Sequence, residues 1–288
     1  MYKLTKIIFL FLILIDKIIH LFSKKFQFIL FLKEHIEDKS YKEVNVLGSK
    51  VKFFIPNKAV DLRVKRIFSK EPGTLKWIDN FKNDENTIFW DIGANIGLFS
   101  LYASQKHNNI KIFSFEPSTS NLRVLSRNIS INKLQERILI NQFPLTNNEN
   151  SYLDLKETRF QEGCSLNTFG EDFGHDGNKI YEKNSYKVFG NNINNLIDNK
   201  ILDIPDYIKI DVDGIEHLIL EGADKYLNFK KIKSISVEIN EKFEEQKVRV
   251  NQILLSNKFK FVSKNNSLDN PNSKNRNTFN YIFEKLNL

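Results

Sequence analysis

The sequence predicts a doubly wound α/β fold: a mostly parallel sheet with helices on both faces and an antiparallel hairpin at its end. Three observations carry this. Short apolar runs of strand length alternate with helical periodicity from Thr87 onward. Several of those runs stop at an acidic residue: Asp91, Glu116 and Asp211. The last two runs, Phe259–Val262 and Tyr281–Glu284, are joined by a polar stretch and not by a helix.

The elements follow in order. Val44–Leu47 and Val51–Ile55 read as strands around Gly48-Ser49, a hairpin signal. Glu71-Pro72-Gly73 reads as a turn, with Thr74 capping a short helix through Trp77. Thr87–Trp90 is a buried-type strand, followed by helical spacing over Gly97–Lys106. Lys111–Phe115 is the second core strand, and Ser118–Asn132 a helix with Leu122, Leu125 and Ile129 on one face. Arg137–Ile140 is the third. From about Asn141 to Asn199 a polar insert interrupts the rhythm, with β-like runs only at Tyr152–Leu155 and Tyr186–Phe189. Such an insert serves either substrate recognition or nothing. Tyr207–Ile210, a helix over Ile215–Leu227, Lys233–Ile239 and a helix over Glu244–Asn257 complete the alternation.

Three segments are therefore expected: 1–40, basic, apolar and helical; 41–85, a lead-in with a hairpin and a short helix; and 86–288, the main domain, with the insert at about 141–199. With 41% hydrophobic and 27% charged residues, the chain is no disordered protein. A single cysteine, Cys164, excludes a disulfide scaffold, and no histidine can be placed beside it as a partner. The net charge of +8 is lysine-driven, and arginine, the usual reader of phosphate and guanine, is scarce. No nucleic-acid partner is expected.

Six lysines and Asp16 alone carry the charge of residues 1–33. Ile7–Ile15 is an unbroken apolar run, closed by Asp16-Lys17. Spanning a bilayer would put those two charges near its centre. A cleaved leader lacks its small-residue site. Peripheral membrane contact through residues 7–32 is expected, with the alternative that the helix packs on its own domain or on a second subunit. The protein is expected in the cytoplasm, at the inner face of the membrane.

The sharpest motif is Asp91-Ile-Gly93-Ala94-Asn95-Ile-Gly97, directly after a strand and opening a helix. Gly93 permits a tight turn and close approach of a ligand. The helix start behind it offers unpaired N–H groups. The glycine spacing is neither that of dinucleotide binders nor that of a phosphate loop, which speaks against an NAD-dependent oxidoreductase. Asp91 suits an ammonium or sulfonium group. Glu116, ending the next strand, can accept both hydroxyls of a ribose. A further constellation, Lys209-Ile-Asp211-Val-Asp213-Gly214-Ile-Glu216-His217, sits at the end of a central strand, and Glu238 closes its neighbour. As bland alternatives, Glu216 caps its helix, His217 packs, and Glu238 pairs with Lys209.

The chain resembles the FkbM family of S-adenosylmethionine-dependent methyltransferases. The resemblance rests on DIGANIG at 91–97, FEP at 115–117, KIDVDGIEHLILEGA at 209–223, VEIN at 237–240 and NYIF at 280–283, and on EPGTLKWID at 71–79, which matches a subgroup. It implies a Rossmann-like class I fold with a seven-stranded sheet and S-adenosyl-L-methionine as methyl donor. By position, Asp91, Gly93, Ala94, Asn95 and Gly97 match the donor-binding loop, and Glu116 the ribose-binding acid. Asp213 departs from the family, which usually has Glu there. The implied activity is O-methylation of a hydroxyl on a glycan, a lipid-linked saccharide or a secondary metabolite. Methylation of nucleic acid or another small molecule, or binding without catalysis, are the alternatives. Transfer to a hydroxyl calls for a base. Asp211 is the first candidate, followed by Glu216 and His217. A divalent metal on Asp211, Glu216 or Glu238 would lower the hydroxyl pKa instead, but the spacing assigns none.

Overall fold

The computed structural model describes residues 2–82, 86–266 and 277–286. The stretch between the two closing strands falls largely at 267–276, outside the described residues, as do residues 83–85 at the expected border of the lead-in.

The chain begins with two helices, α1 (Tyr2–Phe22) and α2 (Phe28–Asp38), neither of which buries a residue. No helix among the described residues is long and apolar enough to cross a membrane. Strands β1 (Tyr41–Val46) and β2 (Ser49–Phe54) form an antiparallel hairpin in which Val46 pairs Ser49. The turn sits on Leu47-Gly48, both at positive φ, one residue before the pair read from the sequence. Helices α3 (Lys58–Lys65) and α4 (Pro72–Asp79) follow. Asn57 caps α3 by accepting from Val60 N–H at 3.0 Å. Thr74 does not cap α4, which begins two residues earlier at Pro72; instead the Thr74 hydroxyl lies inside the helix and donates to Glu71 at 3.3 Å.

The main domain runs β3 (Thr87–Ile92), α5 (Leu98–Lys106), β4 (Ile110–Phe115), α6 (Thr119–Ile131) and β5 (Ile138–Asn141). The insert folds as β6 (Ser151–Glu157), β7 (Asn167–Phe169) and β8 (Asn184–Gly190), then α7 (Ile193–Asp198). The chain returns through β9 (Tyr207–Ile210), α8 (Glu216–Glu221), α9 (Asp224–Leu227), β10 (Ser234–Asn240) and α10 (Glu244–Ser256). It closes with β11 (Phe259–Asn266) and β12 (Thr278–Lys285).

One seven-stranded sheet has the order β11-β12-β10-β9-β3-β4-β5. Strands β10, β9, β3, β4 and β5 are parallel, and β12 runs antiparallel to both neighbours. The chain leaves β3 toward β4 and β5, then returns to β9 on the other side. The strand order therefore reverses between β3 and β9, and a crevice opens beyond their carboxyl ends. This is the Rossmann-like methyltransferase arrangement that the sequence implied. The insert forms its own antiparallel sheet, β7-β6-β8. Leu155 and Phe169 from it pack with Ile215 and Leu218, which seats it beside the end of β9.

Alternation along the strands separates two cores. Ile88, Trp90 and Ile92 of β3 face the cluster shared with α7, α9 and α10. Phe89 faces the other, with β2 and helices α3 to α6. That second face also carries Lys209, opposite Asp91 in register. The helix expected over Ile215–Leu227 is broken into α8 and α9 at Gly222-Ala223. A β-carbon on Gly222 would overlap the Thr146 carbonyl oxygen, and the Gly222 carbonyl accepts from Asn194 N–H at 2.8 Å. The break lets the β5–β6 connection and the start of α7 dock there.

Candidate functional site

The turn after β3 is pressed onto its neighbours. Gly93 has φ +84°, and a β-carbon there would overlap the Asp211 carbonyl oxygen at the end of β9. The N–H groups of Gly93 and Ala94 both donate to the Phe115 carbonyl, at 3.0 and 2.9 Å. Asn95 N–H donates to Glu116 Oε2 at 2.8 Å, and Gly97 N–H to the Ala94 carbonyl at 2.8 Å. The amides of Gly93, Ala94 and Asn95 thus hold the loop on β4 and the Glu116 that follows it, and the Gly97 amide closes the loop on itself, where the sequence suggested open N–H groups. What the loop offers a ligand is close backbone approach, not a ring of free donors.

Glu116 is buried, with Oε1 accepting from Ser118 N–H at 2.8 Å. Each oxygen keeps a lone pair beyond its backbone partner. Burial pushes this carboxyl up to about 7, against the lowering effect of those N–H groups. Asp91 is fully buried at the end of β3. Its Oδ2 accepts the Ser100 hydroxyl at 2.6 Å, and Ser100 lies 2.7 Å from Ser114 Oγ. Its Oδ1 has no partner among the described residues. Burial raises the Asp91 carboxyl, and the nearby Lys209 charge works the other way.

Gly93, Asn95 and Glu116 line a cavity at the carboxyl ends of β3, β4 and β9 that holds roughly 870 Å³ of non-atom space, its open mouth included. Asp91, Ala94 and Gly97 stand behind this lining. Phe115, Phe143 and Leu145 give part of the wall an apolar face. Asn95 Nδ2 donates to the Cys164 carbonyl at 2.8 Å, fixing the insert loop against the turn. Cys164 lines the cavity, and burial pushes its thiol up, away from the thiolate.

The other wall is charged. Asp211 lines it, with Oδ2 2.8 Å from the fully buried Lys209 ammonium. Burial alone would raise the Asp211 carboxyl, but Lys209 and Lys70 outweigh it and hold the group at about 2. Glu238, from β10, lines the same wall, and burial together with the Asp211 charge raises its carboxyl well above the usual range. Lys70 lies 2.7 Å from Glu71 Oε1, and Glu71 Oε2 accepts from Asn280 Nδ2 at 3.1 Å. Arg63 completes the wall, its Nε donating to the Gly163 carbonyl. Among the described residues no group of three or more His, Cys, Asp or Glu side chains is placed to hold a metal ion.

Of Asp211, Glu216 and His217, only Asp211 reaches the cavity. Glu216 is buried with Oε1 accepting from Val212 N–H at 3.0 Å and Oε2 from Gly214 N–H at 3.0 Å and from the Gln246 amide. It clasps the 212–214 turn, and burial raises its carboxyl to about 8. His217 packs against the rings of Phe173 and Phe243, with centroids 6.3 and 5.8 Å away, and those two rings touch each other at 5.4 Å. Burial lowers it to about 4, so the imidazole is neutral at pH 7. Asp213, at φ +65°, accepts from Leu166 N–H at 2.6 Å and ties the insert to the same turn. Arg63 and Lys70 had no signal in the sequence as site residues. They arrive from the lead-in segment by tertiary packing.

Comparison with known proteins gives the following. The family model for the methyltransferase FkbM domain matches residues 91–261. Methyltransferase sdnD of Sordaria araneosa is 28% identical over 178 residues, which are 53% of this chain and 66% of that protein. The chain thus spans just under two thirds of that relative's length. A precorrin-6y C5,15-methyltransferase from Geobacter metallireducens is similar in structure at 14% identity and a TM-score of 0.44, over 75% of this chain and 87% of that one. An rRNA methylase from Streptococcus thermophilus is similar at 13% identity and a TM-score of 0.44, over 74% and 95%.

Proposed function

The chain belongs to the FkbM-domain methyltransferases, whose methyl donor is S-adenosylmethionine, and on that premise we propose that it methylates a hydroxyl oxygen of a glycan, a lipid-linked saccharide or a secondary metabolite. The observation that supports this best is the juxtaposition of two walls in one cavity: the Gly93–Asn95–Glu116 turn on one side, Asp211 with Glu238 on the other.

The residues present fit the donor. Gly93 lets the turn press onto the Asp211 backbone while still lining the cavity, and Glu116 keeps acceptor capacity for ribose hydroxyls beyond its bonds to the Ser118 and Asn95 amides and the Asn121 side chain. In this reading Gly93, Asn95 and Glu116 hold the donor directly, and Asp91, Ala94 and Gly97 shape the loop behind them. The bound donor supplies a methyl group on a positively charged sulfur, already activated for transfer.

Asp211 accepts a hydrogen bond from the acceptor hydroxyl and aims its oxygen. Held at about 2 by its two lysines, Asp211 is a weak base. A weak base suffices late in the reaction: an oxygen that has gained a methyl while keeping its proton is strongly acidic. The proton passes to Asp211 as the C–O bond forms. Glu238, protonated, donates to Asp211 and keeps the pair at one negative charge. The phenyl and aliphatic wall excludes water. Glu216 and His217 act through the 212–214 turn and its packing, not on the substrate. A lipid-linked saccharide would reach such a site at the inner face of a membrane.

Mass spectrometry of cell-envelope saccharides from parent and deletion strains tests the acceptor class. A saccharide lighter by one CH₂ per repeat in the deletion supports it; identical spectra count against it.

A further inference from the structure

The N-terminal hairpin of helices carries an inference independent of the methyl-transfer reading. Helix α1 is 21 residues long and buries none of them. At 3.6 residues per turn, Leu4, Ile7, Ile8, Phe11, Leu12, Leu14, Ile15, Ile18, Ile19 and Phe22 fall in one arc of about 160° that contains no polar residue. Much of that arc is open: Leu4 is 60% exposed, Ile7 63%, Phe11 60% and Phe22 87%. Globular proteins rarely leave so continuous an apolar stripe uncovered.

The rest of the circumference mixes Phe9, Leu10, Ile13 and Leu21 with polar residues, and the charges among them are mainly basic. Lys3, Lys6 and Lys17 lie there with His20, and Lys24, Lys25 and Lys33 follow in the link and in α2, all exposed. Asp16, the one acid of α1 and the link, lies inside the hairpin, where its Oδ1 accepts from Ile29 N–H at 3.0 Å and caps the start of α2; the acids of α2 are Glu34, Glu37 and Asp38. That bond turns α1 back on α2 and points the carboxylate toward the hairpin. Helix α2 is in turn clamped to the main domain. Glu37 pairs with Arg123 at 2.5 Å and Arg127 at 2.6 Å, and both guanidinium groups lie over Phe54. Arg123 also binds Glu162 at 2.8 Å, two residues before Cys164 on the cavity wall. The hairpin is thus fixed to the domain that carries the cavity.

We propose that α1 lies in the plane of an anionic lipid bilayer, its apolar arc in the acyl boundary and its lysines among the headgroups. No helix among the described residues is long and apolar enough to span, and in α1 it is Lys6, Asp16 and Lys17 that interrupt the apolar run. A second copy of the chain fits less well. A paired coiled-coil seam is narrow and flanked by charge, whereas here the positions beside the Leu4–Ile7–Phe11–Leu14–Ile18 stripe include Ile8, Leu10, Ile15 and Phe22. The width and the one-sided basic charge suit a lipid interface.

The test pellets the full-length protein with vesicles of phosphatidylcholine alone and of phosphatidylcholine mixed with phosphatidylglycerol. Binding is expected to the mixed vesicles and to fall in high salt. Phe11→Asp combined with Ile18→Asp is expected to weaken it by at least about tenfold, as is the combined change of Lys3, Lys6 and Lys17 to Gln. Both variants should keep the parent's melting temperature, since α1 buries nothing, so a folding failure would be visible. Wild type remaining in the supernatant, binding undiminished in both variants, or a dimer in sedimentation velocity that Phe11→Asp dissociates without any vesicle binding, would each overturn the proposal.

Discussion

Gly93 lies so close to the main chain of Asp211 that a β-carbon on it would overlap the Asp211 carbonyl oxygen. The loop proposed to hold the donor and the strand end proposed to aim the acceptor are therefore in direct backbone contact. Substituting one must move the other. Gly93→Ala has to adopt φ +84° with a side chain, at about 1 kcal/mol, and must also push β3 and β9 apart. Donor affinity should fall at least about tenfold, measured by calorimetry, with a lowered melting temperature. A variant with parental affinity would show that this contact does not shape the site.

Glu116 makes donor binding depend on pH. Its carboxyl is raised to about 7, first by burial, and the ionised form is the one that accepts two hydroxyl donors. Affinity should rise as pH increases through 7 and flatten above it. Glu116→Gln should bind weakly with no such slope. Stability should run the other way. A raised carboxyl binds its proton more tightly when folded, so its contribution is complete below about 4.3, the unfolded value, and is lost as pH climbs through 7. Paired titrations of affinity and melting temperature across this window check both signs.

Asp211→Asn should slow methyl transfer by about 10²–10⁴-fold while leaving donor affinity intact. It also strips Lys209 of its close partner, and an uncompensated buried ammonium costs about 3–5 kcal/mol. Glu238→Gln is the safer companion. It still donates to Asp211 and keeps the charge balance, so it should fold and retain activity within about tenfold. Single-turnover rates on both variants separate a role in aiming the acceptor from a purely structural one.

His217→Phe should preserve turnover, because the neutral imidazole already packs as a ring against Phe173 and Phe243. A loss of 10²-fold or more at unchanged stability would return His217 to the chemistry. Glu216→Ala should instead lower stability by about 1–3 kcal/mol, since the Val212 and Gly214 amides lose their acceptor.

The sheet was legible because each core strand is a short apolar run and several end at an acid, so period and punctuation agree. The placement of Glu116 and the glycine turn at the cavity was legible for the same reason: both lie at strand ends in register. Glu216 and His217 were harder. Four ionisable groups at one strand end look alike in sequence, and only the path of the 212–214 turn sends Asp211 to the cavity and turns Glu216 inward. The break at Gly222 depends on Thr146 and Asn194, far off in the chain. Arg63 and Lys70 come from a segment whose spacing carries no hint of the cavity. Lys209 reads as a strand-face lysine, and its burial beside Asp91 and Asp211 depends on both neighbouring elements.

The most direct test is calorimetric titration of S-adenosylmethionine into the full-length protein and into Glu116→Ala, with circular dichroism to verify that both are folded. Saturable binding by the parent and none by the variant is the predicted result. Equal affinity in the two proteins would contradict the placement of the donor between the Gly93 turn and Glu116.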